Sequence, residues 1–222
     1  MAGTRLEADR PRSPLNLIYE HSVQDSFEEF KEEMAKAMLF PKKPQMRSWC
    51  IRKAIETFGD AGLYVEFGVF TGGAINLFAK ELQPSGLRIT GFDSFVGLSE
   101  DWVGNQNGRP AGSYSPQGNL PDVDDNVELK VGWVEDTLPA YLNENDGTIA
   151  FAHMDLDTYS PTAFALGQIR AQLVPGSVVL FDELYGYPGW RHHEFKALKE
   201  VLPDETYEFI GFSNQSVGIR ML

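Results

Sequence analysis

From Leu63 onward, short apolar runs alternate with amphipathic stretches, and this alternation narrows the fold more than any other feature of the chain. The runs at 63–67, 88–93, 127–132, 149–155 and 177–182 read as strands, and the stretches at 73–82, 138–143, 161–173 and 192–201 read as helices. Such an order implies a parallel sheet with helices on both faces, and right-handed crossovers then settle most of the topology. The C-terminal stretch "YEFIGFSNQSVGIRML" departs from the pattern. Two strand-like runs flank 213–215 with no room for a helix between them, which predicts a hairpin and an antiparallel strand at or near one sheet edge.

The first sixty residues read differently, so the chain divides into an arm with a helical extension at 1–60 and an α/β domain at 61–222. Residues 1–21 read as a loosely held arm, since Pro11 and Pro14 oppose helix. In "SFEEFKEEMAKAMLF", Phe27, Phe30, Met34, Met38 and Leu39 fall on one helical face, with Ser26 as N-cap and Pro41 as the stop. A second helix is expected over 45–58, anchored by Met46, Trp49, Ile55 and Phe58 and ended by Gly59. These aromatic-rich helices are expected to form a homodimer interface or to roof a pocket. Residues 99–126 are rich in Gly, Pro, Asn and Ser; a segment this long is either a lid or an inert insertion.

Charge and composition exclude several function classes. With 19 Lys plus Arg against 32 Asp plus Glu, the formal charge is -13, which opposes binding to nucleic-acid phosphates. There is no apolar run long enough to span a bilayer, and no apolar core of signal-peptide length near the start. The single cysteine, Cys50, precludes an intramolecular disulfide and a cysteine metal cluster. The expectation is a cytoplasmic protein with a small-molecule ligand.

In open parallel sheets, ligands sit beyond the C-terminal strand ends, where the strand order reverses. The first run ends in Glu66, and Gly68, Gly72 and Gly73 follow at the start of a helix. A dinucleotide fingerprint needs a second glycine two positions after Gly68 so that the backbone can approach a pyrophosphate, but Phe70 stands there. The Glu66 carboxylate would also face a diphosphate badly. S-adenosylmethionine, with an ammonium, ribose hydroxyls and no phosphate, suits both residues. Asp93 closes the next run, 25 positions after Gly68, and is read as a ribose hydroxyl acceptor over a turn cap. After the third run, Trp133 is either core or a platform for adenine, and Asp136 is either a helix cap or an acceptor for the adenine amino group.

Asp155, Asp157, Asp182 and Glu183 cluster beyond the fourth and fifth runs. Like charges so close repel, and a divalent cation relieves them; all-oxygen donors indicate Mg²⁺, Mn²⁺ or Ca²⁺. Helix capping is the alternative. A metal-bound acceptor hydroxyl with Asp155 or a histidine such as His192 as base would suit methyl transfer. Tyr185, Tyr187 and Trp190 are expected to wall an acceptor pocket.

The motifs "VEFGVFTGG", "GFDSFVGL", "VDDNVELKVGWVEDTLP", "MDLDTYSPT" and "PGSVVLFDELYGYPGW" occur in that order. Together they resemble the macrocin O-methyltransferase family of class I S-adenosylmethionine-dependent enzymes, which methylate sugar hydroxyls of natural products. The resemblance covers about 63–222. It implies a Rossmann-like, mostly parallel seven-stranded sheet with an antiparallel C-terminal strand. It implies cofactor contacts at Glu66, Gly68, Asp93, Ser94 and Asp136, to which the reading of the residues adds Gly72 and Trp133. It also implies Mg²⁺ held by Asp155, Asp182 and the residue after Asp182. That residue is Glu183 here, where the metal-dependent members carry Asp. The competing readings are a nucleotide-dependent oxidoreductase and a non-catalytic cofactor-binding protein on a related sheet.

Overall fold

The computed structural model describes residues 13–105 and 107–222. The chain runs α1 (Pro14–Met34), β1 (Met38–Leu39), α2 (Lys43–Phe58), β2 (Gly62–Phe67), α3 (Gly73–Leu82), β3 (Ile89–Asp93) and β4 (Val127–Val131). It continues through α4 (Val134–Glu144), β5 (Thr148–Met154), α5 (Tyr159–Ile169), β6 (Val178–Phe181), α6 (Glu194–Val201), β7 (Tyr207–Ser213) and β8 (Ser216–Met221). The strands form a single sheet in the order β1-β7-β8-β6-β5-β2-β3-β4. β6, β5, β2, β3 and β4 are mutually parallel, and β8 runs antiparallel to both β6 and β7. The predicted hairpin is present, with its turn at Asn214.

The sheet has eight strands, one more than expected. Met38 and Leu39 do not extend a helix. They pair in parallel with Gly211 and Phe212 of β7 and remain largely exposed. The open edge of β7 supplies backbone partners that override the helical periodicity of this stretch. Nor is the segment before residue 21 an unstructured arm from Ser13 on. Pro14 opens α1, where its missing N–H costs nothing and its φ suits the helix, and the Ser13 hydroxyl accepts from the Leu15 N–H. Pro11 lies outside the described residues. Ser26, expected as a cap, sits inside α1, where its hydroxyl donates to the Ser22 carbonyl at 2.6 Å and accepts from the Gly186 N–H at 2.9 Å.

Strand parity divides the core into two layers. Val65 and Phe67 of β2 face α4 and α5, alongside Phe92, Leu138, Met154 and Leu166. Tyr64, one residue out of phase, faces α2 and α3 with Cys50, Ile51, Phe78 and Phe151. α1 joins the first layer through Phe30, whose ring packs against Tyr185, Trp190, Phe195, Phe209 and Phe212. Among the described residues, no helix is long and apolar enough to cross a membrane.

Candidate active site

At the C-terminal ends of the parallel strands, the chain leaves β2 toward β3 on one side while β5 lies on the other. This is the point of strand-order reversal, and a cavity of about 220 Å³ lies over it. Gly68 sits at its base with φ +89°, and a Cβ there would lie 1.8 Å from the Asp155 carbonyl oxygen. Only glycine lets the β2 and β5 tips approach this closely. The Gly68 N–H donates to the Phe92 carbonyl and the Asp155 N–H to the Phe67 carbonyl, so the tips of β2, β3 and β5 are tied together beneath the ligand space.

Asp93 lines the cavity and organises its floor. One carboxylate oxygen accepts from the Val69 and Phe70 N–H groups, both at 2.8 Å, and the other accepts from the Phe95 N–H at 2.6 Å. Each oxygen has two lone pairs, so Oδ1 retains capacity for a further donor. Phe70 also lines the space; its φ is +47° and its ring meets Tyr114 edge-on at 5.6 Å. Ser94 lines the same wall. Trp133 faces the cavity with 39% of its surface exposed, and its neighbour Glu135 lines it as well. Tyr114 and Trp102, from the long 99–126 segment, cover the opposite side.

Three expected cofactor residues lie off the cavity wall. Glu66 is fully buried, one position out of phase with Val65 and Phe67, and its Oε1 lies 2.8 Å from His153 Nδ1 in the α2–α3 layer. Gly72 is the left-handed N-cap of α3, against Pro121. Asp136 stands in the first turn of α4, whose N-cap is Trp133, so it does not cap the helix either.

The acidic cluster is split by cations from α2. Lys43 and Arg47, four residues apart on one face, reach the tip of β6. Lys43 Nζ lies 2.8 Å from Asp182 Oδ2 and 2.7 Å from Glu183 Oε1, and Arg47 donates to Asp182 Oδ1 at 2.5 Å. Ser216 and His153 also approach Asp182 Oδ1, at 3.1 Å and 3.5 Å. Burial alone would raise the Asp182 pKa, but the hydrogen bond from His153 and the charges of Lys43 and Arg47 hold it well below the usual range. His153 is fully buried, which opposes its charge, yet bonds to Asp182 and Glu66 raise its pKa to about 9. Its ring lies between the Glu66 and Asp182 side chains, with Nδ1 toward Glu66 and Nε2 toward Asp182.

Asp155, Asp157 and Glu183 line the cavity together, on the side of the β5 and β6 tips. Burial raises all three pKa values, and the charges of Asp182 beside Asp155 and Glu183, and of Glu183 beside Asp157, raise them further. One oxygen from each lies within 4.8 Å of the others, and Glu183 Oε2 is buried without a hydrogen-bond partner. This donor set fits a hard cation. In the set Asp155, Asp182 and Glu183 expected from the sequence, both Asp182 oxygens and Glu183 Oε1 hold cationic side chains, while Asp182 also groups with Asp155 and His153 within 4.8 Å of one another.

His192 ends a short 3-10 turn, Trp190–His192, and does not line the cavity. His193 follows it as the N-cap of α6 and bonds the Val103 carbonyl at 2.7 Å through Nε2. Trp190 and Tyr187 are buried in the core; of the three aromatic residues expected to wall a pocket, only Tyr185 is partly open. The sequence reading did not single out Lys43, Arg47, His153 and Glu194 behind the site, nor Trp102, Tyr114 and Glu135 on the cavity wall. Glu194 is fully buried, and its Oε2 accepts the Glu183 N–H at 3.0 Å. A polar residue inside the apolar run "FAHMD" and two bases on the inner face of α2 were the available signals.

Residues 65–184 match the family described as a methyltransferase domain. Among curated proteins, the chain is 28% identical over 170 residues to 8-demethyl-8-(2,3-dimethoxy-alpha-L-rhamnosyl)-tetracenomycin-C 4'-O-methyltransferase of Streptomyces olivaceus. That match covers 68% of this chain and 63% of the relative's length. The crystal structure of CalS11, a calicheamicin methyltransferase, superposes with a TM-score of 0.68 at 26% identity, covering 99% of this chain and 98% of that one. The O-methyltransferase NovP shares the fold at a TM-score of 0.58 and 20% identity, covering 81% and 79% of the two chains. The family match spans more than half of the chain, from the second residue pair of β2 to just past the β6 tip, and contains every element around the cavity: the chain belongs to the methyltransferase-domain family.

Proposed function

We propose that this chain transfers a methyl group from S-adenosylmethionine to a hydroxyl on the sugar of a natural-product glycoside. The observation that carries the reading is the cavity at the strand reversal, built from Gly68, Asp93, Trp133 and Asp155 and walled at the second glycine position by Phe70. The relatives support the acceptor class. One is named for a rhamnosyl tetracenomycin, and CalS11 is described as a TDP-rhamnose 3'-O-methyltransferase in an apo structure 25% identical to this chain.

When bound, S-adenosylmethionine supplies an electrophilic methyl group. Gly68 brings the main chain against the ligand, Asp93 accepts from a ribose hydroxyl with Oδ1, and Trp133 offers a face to the adenine. Trp102 and Tyr114 exclude water from above. Asp155 lines the cavity at the tip of β5, where its carboxylate is placed to receive the acceptor's hydroxyl proton. Asp155, Asp157 and Glu183 would hold a divalent cation, whose charge lowers the pKa of a nearby hydroxyl.

Calorimetric titration tests the reading. S-adenosylhomocysteine should bind and NAD should not; binding of NAD alone would overturn it. After dialysis against EDTA, Mg²⁺ should bind the wild type and the Asp182→Asn variant but not Asp157→Asn. Equal binding by all three removes Asp157 from the cation site.

A further inference from the structure

A second concavity, of about 530 Å³, opens between α1 and the loops at the tips of β6 and the β7–β8 hairpin. Tyr19, Val23 and Phe27 of α1 form one wall, and Tyr185, Asn214 and Gln215 form the other. Lys43 closes its inner end, and Lys43 Nζ lies 2.7 Å from Oε1 of Glu183, which lines the first cavity. The Lys43–Glu183 ion pair therefore joins a lining residue of each cavity.

We propose that this groove is the acceptor site, that it takes a glycoside, and that the sugar hydroxyl reaches the first cavity over the Lys43–Glu183 pair. The proposal rests on the methyl-transfer reading of the first cavity. The volume is in the range of small-molecule sites, and the lining has the matching character of apolar surface with a few polar groups. A pyranose presents C–H faces and hydroxyl edges. Val23 and Phe27 leave about half their surface open to the groove side of α1, and the rings of Tyr19 and Tyr185 add amphipathic faces. The side-chain amides of Asn214 and Gln215 donate to and accept from no side chain among the described residues, so their capacity is free for hydroxyls.

The groove is held open by its supports. Ser26 binds the Gly186 N–H, which ties α1 to the loop after β6, and Phe30 meets Tyr185 edge-on at 5.7 Å beneath the floor. Lys43 has three acceptors at 3.0 Å or less, the Asp182 carbonyl, Asp182 Oδ2 and Glu183 Oε1, so it serves as a wall whose position is fixed. A second copy of the chain is the other candidate occupant of an exposed α1 face. The formal charge of -13 opposes self-association, and polar groups at the inner end suit a small polyhydroxyl ligand better than a helix.

The test fills the groove. Val23 lines the groove and not the donor cavity, and Val23→Trp adds an indole to the α1 wall. Binding of p-nitrophenyl α-L-rhamnopyranoside is read by saturation-transfer NMR in the presence of S-adenosylhomocysteine, whose own affinity is read by calorimetry. Wild type should show transfer to the rhamnoside. Val23→Trp should weaken the rhamnoside by about tenfold or more while S-adenosylhomocysteine changes by less than about twofold. Asn214→Ala should also weaken the rhamnoside. No transfer in the wild type, or unchanged transfer in Val23→Trp, overturns the groove assignment alone. A wild type that sediments as a dimer and a Val23→Trp variant that sediments as a monomer overturn it in favour of a second copy. Failure of the wild type to bind S-adenosylhomocysteine overturns the methyl-transfer reading and this one with it.

Discussion

Asp93 commits its carboxylate to three backbone N–H groups of the loops that frame the donor cavity. Replacing it with Ala leaves these donors without an acceptor, so the loop after β2 should lose its shape. Asp93→Ala is expected to weaken S-adenosylhomocysteine binding by about 1.5–3 kcal/mol, measured by calorimetry. A change of affinity too small to resolve would show that the loop holds its form without the carboxylate. Asp155 is placed for proton transfer instead. Asp155→Asn should lower kcat by roughly 10²–10⁴-fold while leaving donor affinity nearly intact. His192, off the cavity wall, makes the contrasting case: His192→Ala should retain turnover. Strand position told where these two carboxylates lie. A carboxylate that ends a strand in an open α/β sheet lies near the ligand space, and Asp93 and Asp155 were legible for that reason. The same logic put Glu66 at the cavity, whereas its side chain, one residue out of phase, is buried against His153 in the other layer.

The elements around the cavity are joined by a few specific ties between the loop leading into α6 and the 99–126 segment. His193 Nε2 bonds the Val103 carbonyl, and its Nδ1 is buried without a partner. The Trp102 ring packs edge-on against Tyr187 at 5.7 Å. A Cβ on Gly189 would lie 2.2 Å from the Val103 carbonyl oxygen, so the two loops touch along their backbones. Burial holds the His193 pKa below its ordinary 6.5, despite the bond to Val103. The folded value is thus lower than the unfolded one. The stability that neutral His193 contributes is complete above about pH 6.5 and is lost as pH falls through the lower folded value. Between pH 7.5 and 5, the wild type should lose more Tm than His193→Gln, which keeps a donor without the titration; parallel losses would assign the acid sensitivity elsewhere. The sequence identified the 99–126 segment as a lid or an insertion. Only the contacts show Trp102 and Tyr114 over the cavity and Val103 fastened to α6.

At the scale of the whole molecule, α1 and α2 are packed into the sheet. Phe30 anchors α1 in an aromatic cluster with β7 and α6, and α2 carries Lys43 and Arg47 to the β6 tip. Phe30→Ala should cost about 3–5 kcal/mol and lower the Tm in a single transition, measured by calorimetry. Two separate transitions would show that the N-terminal helices unfold on their own. The α/β class, the reversed last strand and the acidic tips of β3, β5 and β6 followed from the sequence by itself, because periodicity and chain order are local properties written along one dimension. Tertiary structure alone decided which carboxylates face the cavity and which are neutralised. Lys43 meets Asp182 across 139 positions of chain, and no pattern along the sequence encodes a contact made by two elements packed from different layers.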